Sequence, residues 1–439
     1  MPKVKLREPN LTVSPTTRQY MIDGIRYICG TFKKRLPGSQ PERNAQAFFQ
    51  KELGGYCDNV MMEDFDLHPG AFMGFIPIAA LFMLASVVLY WVGHGSVAIA
   101  VIGFVLPLLA LLMFLFEFLF YRNFVDFLFP KKVSRNVYGV RKPQGEVKRR
   151  IIFGGHTDAA NEWRWSMAAE AKGLAVAIFG GVASMLLGLF INLARMIYVI
   201  LAQTQYGEFS KHMRDYFSLA DYPGWLAMGV VLLVTIPFII IIALFINYKI
   251  VVDGANDNLS ANFISMSVIR DMAEQGFRFE NTEVGCLLTG AEEAGIRGAK
   301  AFSQKHKKDL SDVETIFISM DTMREIKEMR VCNFGCTGTV KNDKAVGNLL
   351  HEAAGNCGID IPDSELYPGA VDAEAFSMVG LRATGFTAVS HEAKRYYHTR
   401  QDTADNIDPE CLALSLNICK EAAHLFDAKG MAPYDADQR

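Results

Sequence analysis

The sequence lacks the excess of basic residues that nucleic-acid-binding proteins carry. It contains 44 Lys and Arg against 47 Asp and Glu, which gives a formal net charge of −3 at pH 7. A chain of this charge offers no broad positive surface to a phosphate backbone. We therefore expect no nucleic-acid partner.

Cysteine is sparse, and its spacing fits neither a disulfide framework nor a zinc knuckle. The eight cysteines are scattered over 439 residues, and the polar, Lys-containing N-terminus shows no cleavable signal sequence. Cys332 and Cys336 have no second pair nearby that would complete a structural zinc site. We therefore expect free thiols in a reducing compartment.

Long apolar runs, in contrast, are abundant, and 51% of the residues are hydrophobic. Four runs are long enough to cross a bilayer as helices, which takes about 20 residues. They cover residues 71–93, 96–116, 173–193 and 225–248. The chain has only four tryptophans, and each falls near the end of a run, as an interfacial aromatic belt requires. Ionisable residues are almost absent from the runs, which disfavours a transport path through them.

The four runs form two hairpins, so the large polar segments share one face of the membrane. Residues 122–172 hold eleven Lys or Arg, whereas the loop between the third and fourth runs holds only Arg195, Lys211 and Arg214. The positive-inside rule therefore places the polar part in the cytoplasm. Glu117, near the end of the second run, is expected to reach the interface. The predicted organisation is a polar domain in three pieces, residues 1–70, 122–172 and 249–439, interrupted by membrane hairpins at residues 71–121 and 173–248.

The polar segments alternate short apolar runs with helical patterns, which is typical of an α/β domain. Runs rich in β-branched residues predict buried strands at residues 151–155, 284–289, 315–320 and 383–389. Amphipathic patterns predict helices at residues 260–275, 344–354 and 409–429. We expect a mixed, mostly parallel sheet with helices on both faces. In such sheets ligands bind beyond the carboxyl ends of the strands.

Residues suited to metal binding follow three of the predicted strands. His156 and Asp158 stand two residues apart, so Asp158 can orient the ring of His156, although the pair taken alone fits a structural histidine better. Glu292 and Glu293 are adjacent, so one can bind metal while the other acts as general base. The alternative is two charged residues that open a solvated loop. Asp321 follows the third strand directly.

Two further candidates lie in loops. Asp257 stands in the sequence Asp-Gly-Ala-Asn-Asp-Asn-Leu-Ser at residues 253–260, a turn that leads into a helix. Its carboxylate has two oxygens and can bridge two cations, although Asp, Asn and Ser also suit a helix N-cap. His398 stands in Tyr-Tyr-His-Thr at residues 396–399. Each motif is weak by itself.

The order of these motifs resembles that of the co-catalytic zinc aminopeptidases, metallopeptidase family 28. An Arg-Leu-Pro-Gly-Ser element at residues 35–39 is similar to one that precedes the first strand in that family. The resemblance implies an aminopeptidase-like fold with two Zn²⁺ ions per chain. It implies that one ion is bound by His156 and Asp321 and the other by Glu293 and His398, and that Asp257 bridges them.

The resemblance also implies roles for three side chains that do not bind metal. Glu292 would be the general base, Asp158 would orient His156, and Tyr397 would donate a hydrogen bond to the oxyanion. One departure concerns Asp372, since Val-Asp-Ala stands at residues 371–373 where the family often has Ser-Asp-His. The implied activity is that of a membrane-embedded exopeptidase that hydrolyses an amide bond in a peptide.

Three other functions remain open on the sequence. A site close to a bilayer would also suit N-acyl amino acids or other amphiphilic amides. A glutaminyl cyclase-like enzyme would share the fold and use a single zinc ion. A membrane receptor or scaffold with a peptidase-like domain is the non-enzyme alternative, and the complete ligand set argues against it. The sequence is compatible with an oligomer and leaves the substrate side chain undecided.

Overall fold

The computed structural model describes residues 5–6, 13–93, 95–206, 223–365, 369–389 and 396–436. The chain forms two compact units. Unit 1 consists of Met1–Pro69, Phe129–Glu162 and Tyr248–Arg439, and unit 2 consists of Gly70–Leu128 and Trp163–Asn247. The predicted pieces of the polar domain, with bounds at 70, 122, 172 and 249, stay a prediction. Lys211 and Arg214 lie outside the described residues.

Among the described residues, nine strands of unit 1 form one mixed sheet. The strands of the chain are β1 Lys5–Leu6, β2 Asn59–Leu67, β3 Lys132–Arg141, β4 Arg149–His156, β5 Asn161–Trp163, β6 Ile246–Val251, β7 Thr282–Thr289, β8 Glu314–Met323, β9 Arg330–Gly335, β10 Val340–Lys341, β11 Ile359–Asp360, β12 Asp363–Glu365 and β13 Arg382–Ala388. The order in the large sheet is β10-β9-β13-β8-β4-β7-β3-β2, with β12 beside β9. Two small sheets pair β1 with β11 and β5 with β6.

The strands β13, β8, β4 and β7 form a parallel centre, and they confirm the four predicted strands. The main path of the sheet is antiparallel on both sides of this centre. The expectation of a mostly parallel sheet is therefore right for the centre only. At one flank, Lys132 of β3 pairs with Leu67 of β2, so the chain re-enters the sheet beside the residue where it left. Such a return gives an antiparallel pair, whereas a parallel pair needs a crossover.

Helices cover both faces of the sheet, as the sequence predicts. The helices of unit 1 are α1 Pro15–Thr31, α2 Gln40–Leu53, α7 Ser260–Glu274, α8 Arg297–His306, α9 Lys344–Asn356, α10 Ala373–Ser377, α11 Pro409–Lys429 and α12 Ala432–Ala436. On one face, Ile151 and Phe153 of β4 join the main core with residues of α1, α7, α9 and α11. On the other face, Phe317 of β8 packs against Phe376 of α10, which in turn contacts Phe302 of α8.

This alternation explains why the central strands read as continuous apolar runs. All eight residues of β7 are buried, as are the last six of β4. When helices cover both faces of a strand, the side chains on both of its faces are buried away from water. The eight cysteines are free thiols, and seven of them are buried.

Unit 2 contains four long apolar helices in its described part. They are α3 Ala71–Val92, α4 Val97–Met113, α5 Arg164–Tyr206 and α6 Pro223–Ala243. Four helical stretches are long and apolar enough to cross a membrane by length and composition: Ala71–Val92, Val97–Leu119, Lys172–Ala202 and Pro223–Ala243. The second consists of α4 and the π-helical turn Phe114–Leu119 that continues it. Small residues let the helices approach closely, since a Cβ atom on Gly180 of α5 would lie 2.5 Å from the ring of Phe238 in α6.

The bounds of these helices differ from the predicted ones at two places. Helix α5 has 43 residues, about twice the predicted run at 173–193, and 31 of them form its apolar stretch. Helix α6 ends at Ala243, and β6 begins at Ile246, so the helix predicted up to residue 248 is wrong at its end. Glu117 is 1% exposed, and its side chain accepts a hydrogen bond from the Val125 N–H at 2.7 Å. Its expected position at the interface stays a prediction. Its role is to hold the turn that follows α4.

Candidate metal centre

His156 is the last residue of β4, at the carboxyl end of the parallel centre. Its ring is 1% exposed, and its backbone oxygen accepts a hydrogen bond from Asn262 Nδ2 of α7 at 2.7 Å. A Cβ atom on Gly155 would lie 2.7 Å from the Cβ of Ala261, so glycine before the histidine is what lets α7 approach this closely. The helix and the strand end together fix the position of the imidazole.

Asp158 connects His156 to the segment that carries the two glutamates. One of its oxygens lies 3.4 Å from His156 Nδ1. Its two oxygens also accept hydrogen bonds from the backbone N–H groups of Glu292 and Glu293, each at 3.0 Å. These glutamates begin a short helical turn after Ala291, which has a φ of +53°. A left-handed non-glycine residue is uncommon and is often found next to functional groups.

Asp257 lies in the turn between Gly254, which has a φ of +63°, and the start of α7. The peptide bond from Asp257 to Asn258 is cis. Asn258 ties this turn to the end of β8, because its Nδ2 donates to Met320 O at 2.9 Å and its Oδ1 accepts from Thr322 N at 3.3 Å. The turn therefore sits over the end of β8.

Asp321 and His398 complete the group. Asp321 is the third residue from the end of β8. Thr322 Oγ1 donates to its carboxylate at 2.7 Å. His398 lies in the loop after residue 396, and it also adopts a left-handed backbone, with a φ of +51°. Thr322 shares this conformation, with a φ of +50°.

The structure brings all five predicted metal-binding residues together, with Asp257 in the middle. One oxygen of Asp257 lies 3.1 Å from His156 Nε2, and the other lies 3.2 Å from His398 Nε2. Asp321 is on the side of His156, at 3.8 Å from its Nε2, and Glu293 is on the side of His398, at 3.6 Å from its Nε2. Donor atoms of His156, Asp257 and Glu293 lie within 4.8 Å of one another, close enough to hold one ion.

Glu292 and Tyr397 flank this group. Glu292 Oε2 lies 3.9 Å from His156 Nε2. The ring of Tyr397 lies 4.3 Å from the ring of His398, centroid to centroid. Burial, followed by the charges of Asp257 and Asp321, raises the pKa of Tyr397, so its hydroxyl keeps its proton. A neutral hydroxyl is a hydrogen-bond donor.

The buried carboxylates of this group carry negative charge that a bound cation would compensate. Burial and mutual repulsion raise the pKa values of Glu292, Glu293 and Asp321. For Asp257, burial is outweighed by the two imidazoles, and its pKa is lowered. Buried carboxylates crowded in this way are costly unless positive charge compensates them.

The donor atoms fit zinc. Zinc in proteins is bound by imidazole nitrogen and carboxylate oxygen, which are the atoms that meet here. Neither ring nitrogen of His156 nor Oε1 of Glu293 makes a hydrogen bond of good geometry with any described residue, although all three atoms are buried. Buried polar atoms without such partners are rare and point to a bound ion or water.

Three buried charged residues that hold the group were not assigned roles from the sequence. Asp402 accepts hydrogen bonds from the backbone N–H and Nδ2 of Asn256, both at 2.8 Å, and from Asp257 N at 3.1 Å. Burial raises the pKa of Asp402 to about 7. Arg35 is fully buried and donates to the backbone oxygens of Thr157 and Asp253, at 3.0 and 2.7 Å. The one sequence feature that pointed to Arg35 is its position in the Arg-Leu-Pro-Gly-Ser element at residues 35–39.

Glu42 is the third of these residues. One of its oxygens accepts from Ala291 N at 2.9 Å and from Ser134 Oγ at 2.8 Å, and the other accepts from Gly38 N at 2.7 Å. It therefore holds the residue that precedes Glu292. Ser39 caps α2 and stands three residues before Glu42. This spacing predicts a local capping pair at the start of a helix, so the sequence gives no sign of the contact with Ala291.

Comparison with known proteins finds one matching protein family. The model of a protein family described as peptidase family M28 matches residues 243–423. The matched segment contains Asp257, Glu292, Glu293, Asp321 and His398, and His156 lies outside it. No curated protein sequence matches the chain.

Solved structures share the fold along most of the chain. An aminopeptidase from Aneurinibacillus sp. strain AM-1 is 12% identical, with a TM-score of 0.53 and coverage of 93% of each chain. A glutaminyl cyclase from Fimbriiglobus ruber is 11% identical, with a TM-score of 0.52 and coverage of 96% of this chain and 99% of its own. A zinc aminopeptidase from Bacillus subtilis is 11% identical, with a TM-score of 0.51 and coverage of 94% and 95%. The mixed sheet with its helices is thus an aminopeptidase-like fold.

Proposed function

We propose that this protein is a membrane-embedded, zinc-dependent exopeptidase of family M28, which hydrolyses an amide bond in the manner of an aminopeptidase. The observation that carries the proposal is the position of Asp257, whose two oxygens lie 3.1 and 3.2 Å from two different imidazoles. A carboxylate in that position can bridge two ions. The family match over residues 243–423 supports the same activity.

The zinc ligands would be divided between the two sides of Asp257. His156 and Asp321 would bind one ion, and Glu293 and His398 the other, in keeping with the distances between these side chains. When bound, the two ions would polarise the carbonyl of the substrate and lower the pKa of a water molecule. Asp158 would orient the imidazole of His156. It would also fix Glu292 and Glu293, because it accepts hydrogen bonds from their backbone N–H groups.

Glu292 would be the general base and later the general acid. Its Oε2 lies 3.9 Å from His156 Nε2 and it is not among the five proposed ligands, so its carboxylate can take a proton from the attacking water. It would then deliver that proton to the leaving amine. Tyr397 would donate its hydroxyl hydrogen to the oxyanion.

The membrane setting is part of the proposal. The four apolar helices of unit 2 support insertion as two hairpins, with unit 1 in the cytoplasm. The substrate would be a peptide or an amphiphilic amide that reaches the protein at the bilayer. The basic residues at 122–172 support this orientation.

Replacement of the base tests the mechanism. Glu292→Gln removes the proton acceptor and none of the five proposed ligands, so zinc content should stay that of the wild type. Hydrolysis of aminoacyl and peptidyl substrates should fall by roughly 100- to 10,000-fold, the usual contribution of general base catalysis. The measurement is turnover by the purified full chain together with its zinc content. Near-normal turnover in the variant would rule out Glu292 as the base.

A single-zinc glutaminyl cyclase-like enzyme is the second candidate. It is favoured by the fold shared with the Fimbriiglobus ruber enzyme and by the compact three-residue group of His156, Asp257 and Glu293. Zinc analysis separates the candidates, since one ion per chain together with cyclisation of N-terminal glutamine would replace the peptidase proposal. A panel of peptides and N-acyl amino acids defines the substrate in either case.

A further inference from the structure

The loop that carries His398 is held at two points beyond the histidine. Asp402, four residues after His398, binds Asn256 and the backbone of Asp257. Arg400, two residues after His398, binds Glu162. The first contact ties the loop to the proposed bridging aspartate. The second ties it to a residue that the proposed mechanism does not use.

The contact between Arg400 and Glu162 is a bidentate ion pair. Arg400 Nε and Nη2 donate to the two oxygens of Glu162 at 2.6 and 2.7 Å, and the backbone N–H of Arg400 is 3.4 Å from the same carboxylate. The Glu162 side chain is 1% exposed, whereas that of Arg400 is 55% exposed. A pair of this geometry fixes direction as well as distance, because two parallel hydrogen bonds hold the planar groups.

Glu162 lies at a particular place in the chain. It is the last residue of unit 1 before the chain enters unit 2, and it stands four residues after Asp158. Ala160, midway between them, is held by a hydrogen bond from Val252 N to its oxygen at 3.0 Å. One short segment therefore bears both the carboxylate that contacts His156 and the carboxylate that holds the loop of His398.

We propose that Glu162 is a positioning residue for His398: through Arg400 it fixes the loop so that the imidazole stands opposite Asp257. This inference rests on the proposed function, in which His398 is a zinc ligand. Groups that orient a metal-binding imidazole typically change metal affinity by roughly 10- to 100-fold when they are removed. An ion pair that only stabilised the fold would leave metal affinity unchanged.

Zinc titration of the metal-free full chain tests the inference. Glu162→Gln and Arg400→Ala should each weaken binding of the ion that His398 holds by roughly 10- to 100-fold. Arg400→Lys should lie between them and the wild type, since lysine keeps the charge and loses the fork. Arg400→Lys keeps a positive charge opposite the buried Glu162, so it is expected to fold even if removal of either partner destabilises the chain.

A matched control and a mutant cycle separate positioning from stability. Glu283, at the start of β7 and away from the site, is also a buried carboxylate, with a side chain 9% exposed, and it pairs with Arg150 at 2.6 Å, so Glu283→Gln should bind zinc like the wild type. In a His398→Ala background, Arg400→Ala should change zinc affinity by less than about twofold, because a residue that acts through His398 has nothing left to position.

Each outcome decides one of the two proposals. Wild-type zinc affinity in Arg400→Ala, or an equal loss in the His398→Ala background, would overturn the positioning role and leave the proposed function intact. A wild-type chain that binds no zinc would overturn the proposed function and this inference together. Loss of affinity in the variants that depends on His398 supports the inference, whatever the substrate.

Discussion

The two units of this chain treat apolar side chains in opposite ways. In unit 1 the central strands bury their side chains on both faces, and the core extends through the helices on each side. In unit 2 large apolar side chains point outward, and Leu81, Phe179 and Val234 are each more than 60% exposed. Soluble proteins rarely expose apolar surface of this extent. The difference indicates that unit 2 is suited to a surrounding phase that is itself apolar.

The units also differ in what their polar side chains bind. In unit 1, buried Asp402, Glu42 and Arg35 bind groups that are distant in sequence, and they fix the loops of the candidate metal centre. In unit 2, Thr235 and Asn192 donate to carbonyls of their own helices, three and four residues back, whereas Tyr90 and Trp165 donate to carbonyls of other parts of the unit. A polar group in an apolar phase needs a partner close at hand. In both kinds of contact in unit 2 the acceptor is a backbone carbonyl of an apolar helix or of the residues beside it, whereas in unit 1 the buried charged side chains fix the loops of the site.

The largest expected effect is a loss of zinc binding and activity at the candidate metal centre of unit 1. Asp257→Ala removes a carboxylate whose two oxygens lie 3.1 and 3.2 Å from the two imidazoles. We expect zinc binding at both proposed positions to weaken and hydrolysis to fall by several orders of magnitude. Zinc content after dialysis and turnover measure this. Asp309→Ala is the control, because that side chain is 77% exposed. A variant that retained both ions would show that Asp257 does not bridge them.

The second prediction concerns the exposed face of unit 2. Val234 is 61% exposed in the middle of α6. If the helix spans a bilayer, Val234→Lys should cost about 2.5 to 3.5 kcal/mol of insertion free energy, the value for lysine at a helix centre. Met378→Lys in unit 1, at a residue 40% exposed, should have little effect.

The measurement is the fraction of each variant that is recovered in the membrane fraction and remains folded in detergent. Val234→Leu should match the wild type, because it keeps the apolar surface. Equal recovery of Val234→Lys and Met378→Lys would mean that the outer face of α6 is in contact with water, and the contrast between the units would lose its physical basis.

The sequence predicts the parts of this structure that depend on local pattern. The runs at 151–155 and 284–289 are strands because two buried faces require continuous apolar residues, and the helix at 409–429 is found with its predicted ends. His156, Glu293 and Asp321 come together because β4 lies between β7 and β8 in parallel and all three strands end at one edge, and loops bring Asp257 and His398 to the same edge. Each motif is weak alone, and their order along the chain made the prediction specific.

What the sequence does not reveal depends on contacts between distant residues. Glu42 and Ala291 are 249 positions apart, and Glu162 and Arg400 are 238 apart, so no local pattern links them. A buried acid in a helix reads as a surface residue until its partners are known. The antiparallel flanks of the sheet were missed for a similar reason, because pairing direction depends on where the chain re-enters the sheet.

The smallest expected effect concerns Glu42 and the pH dependence of stability. Burial raises the pKa of Glu42 to about 8, from a usual value of 4.5. The folded protein therefore holds this proton between about pH 4.5 and 8, where the unfolded chain has released it. Stability from this group is complete below pH 4.5 and is lost as the pH rises towards 8, by up to about 1.4 kcal/mol per pH unit.

Glu42→Gln removes the titration and should flatten this part of the pH profile. The variant should also show a constant loss at every pH, since the new amide nitrogen would face the Gly38 N–H that Glu42 now accepts. The thermal midpoint of both proteins between pH 5 and 8 separates the two effects, because only the slope reports the proton. An unchanged slope would mean that Glu42 is ionised in the folded protein. The hydrogen bonds from Gly38, Ser134 and Ala291 would then outweigh its burial.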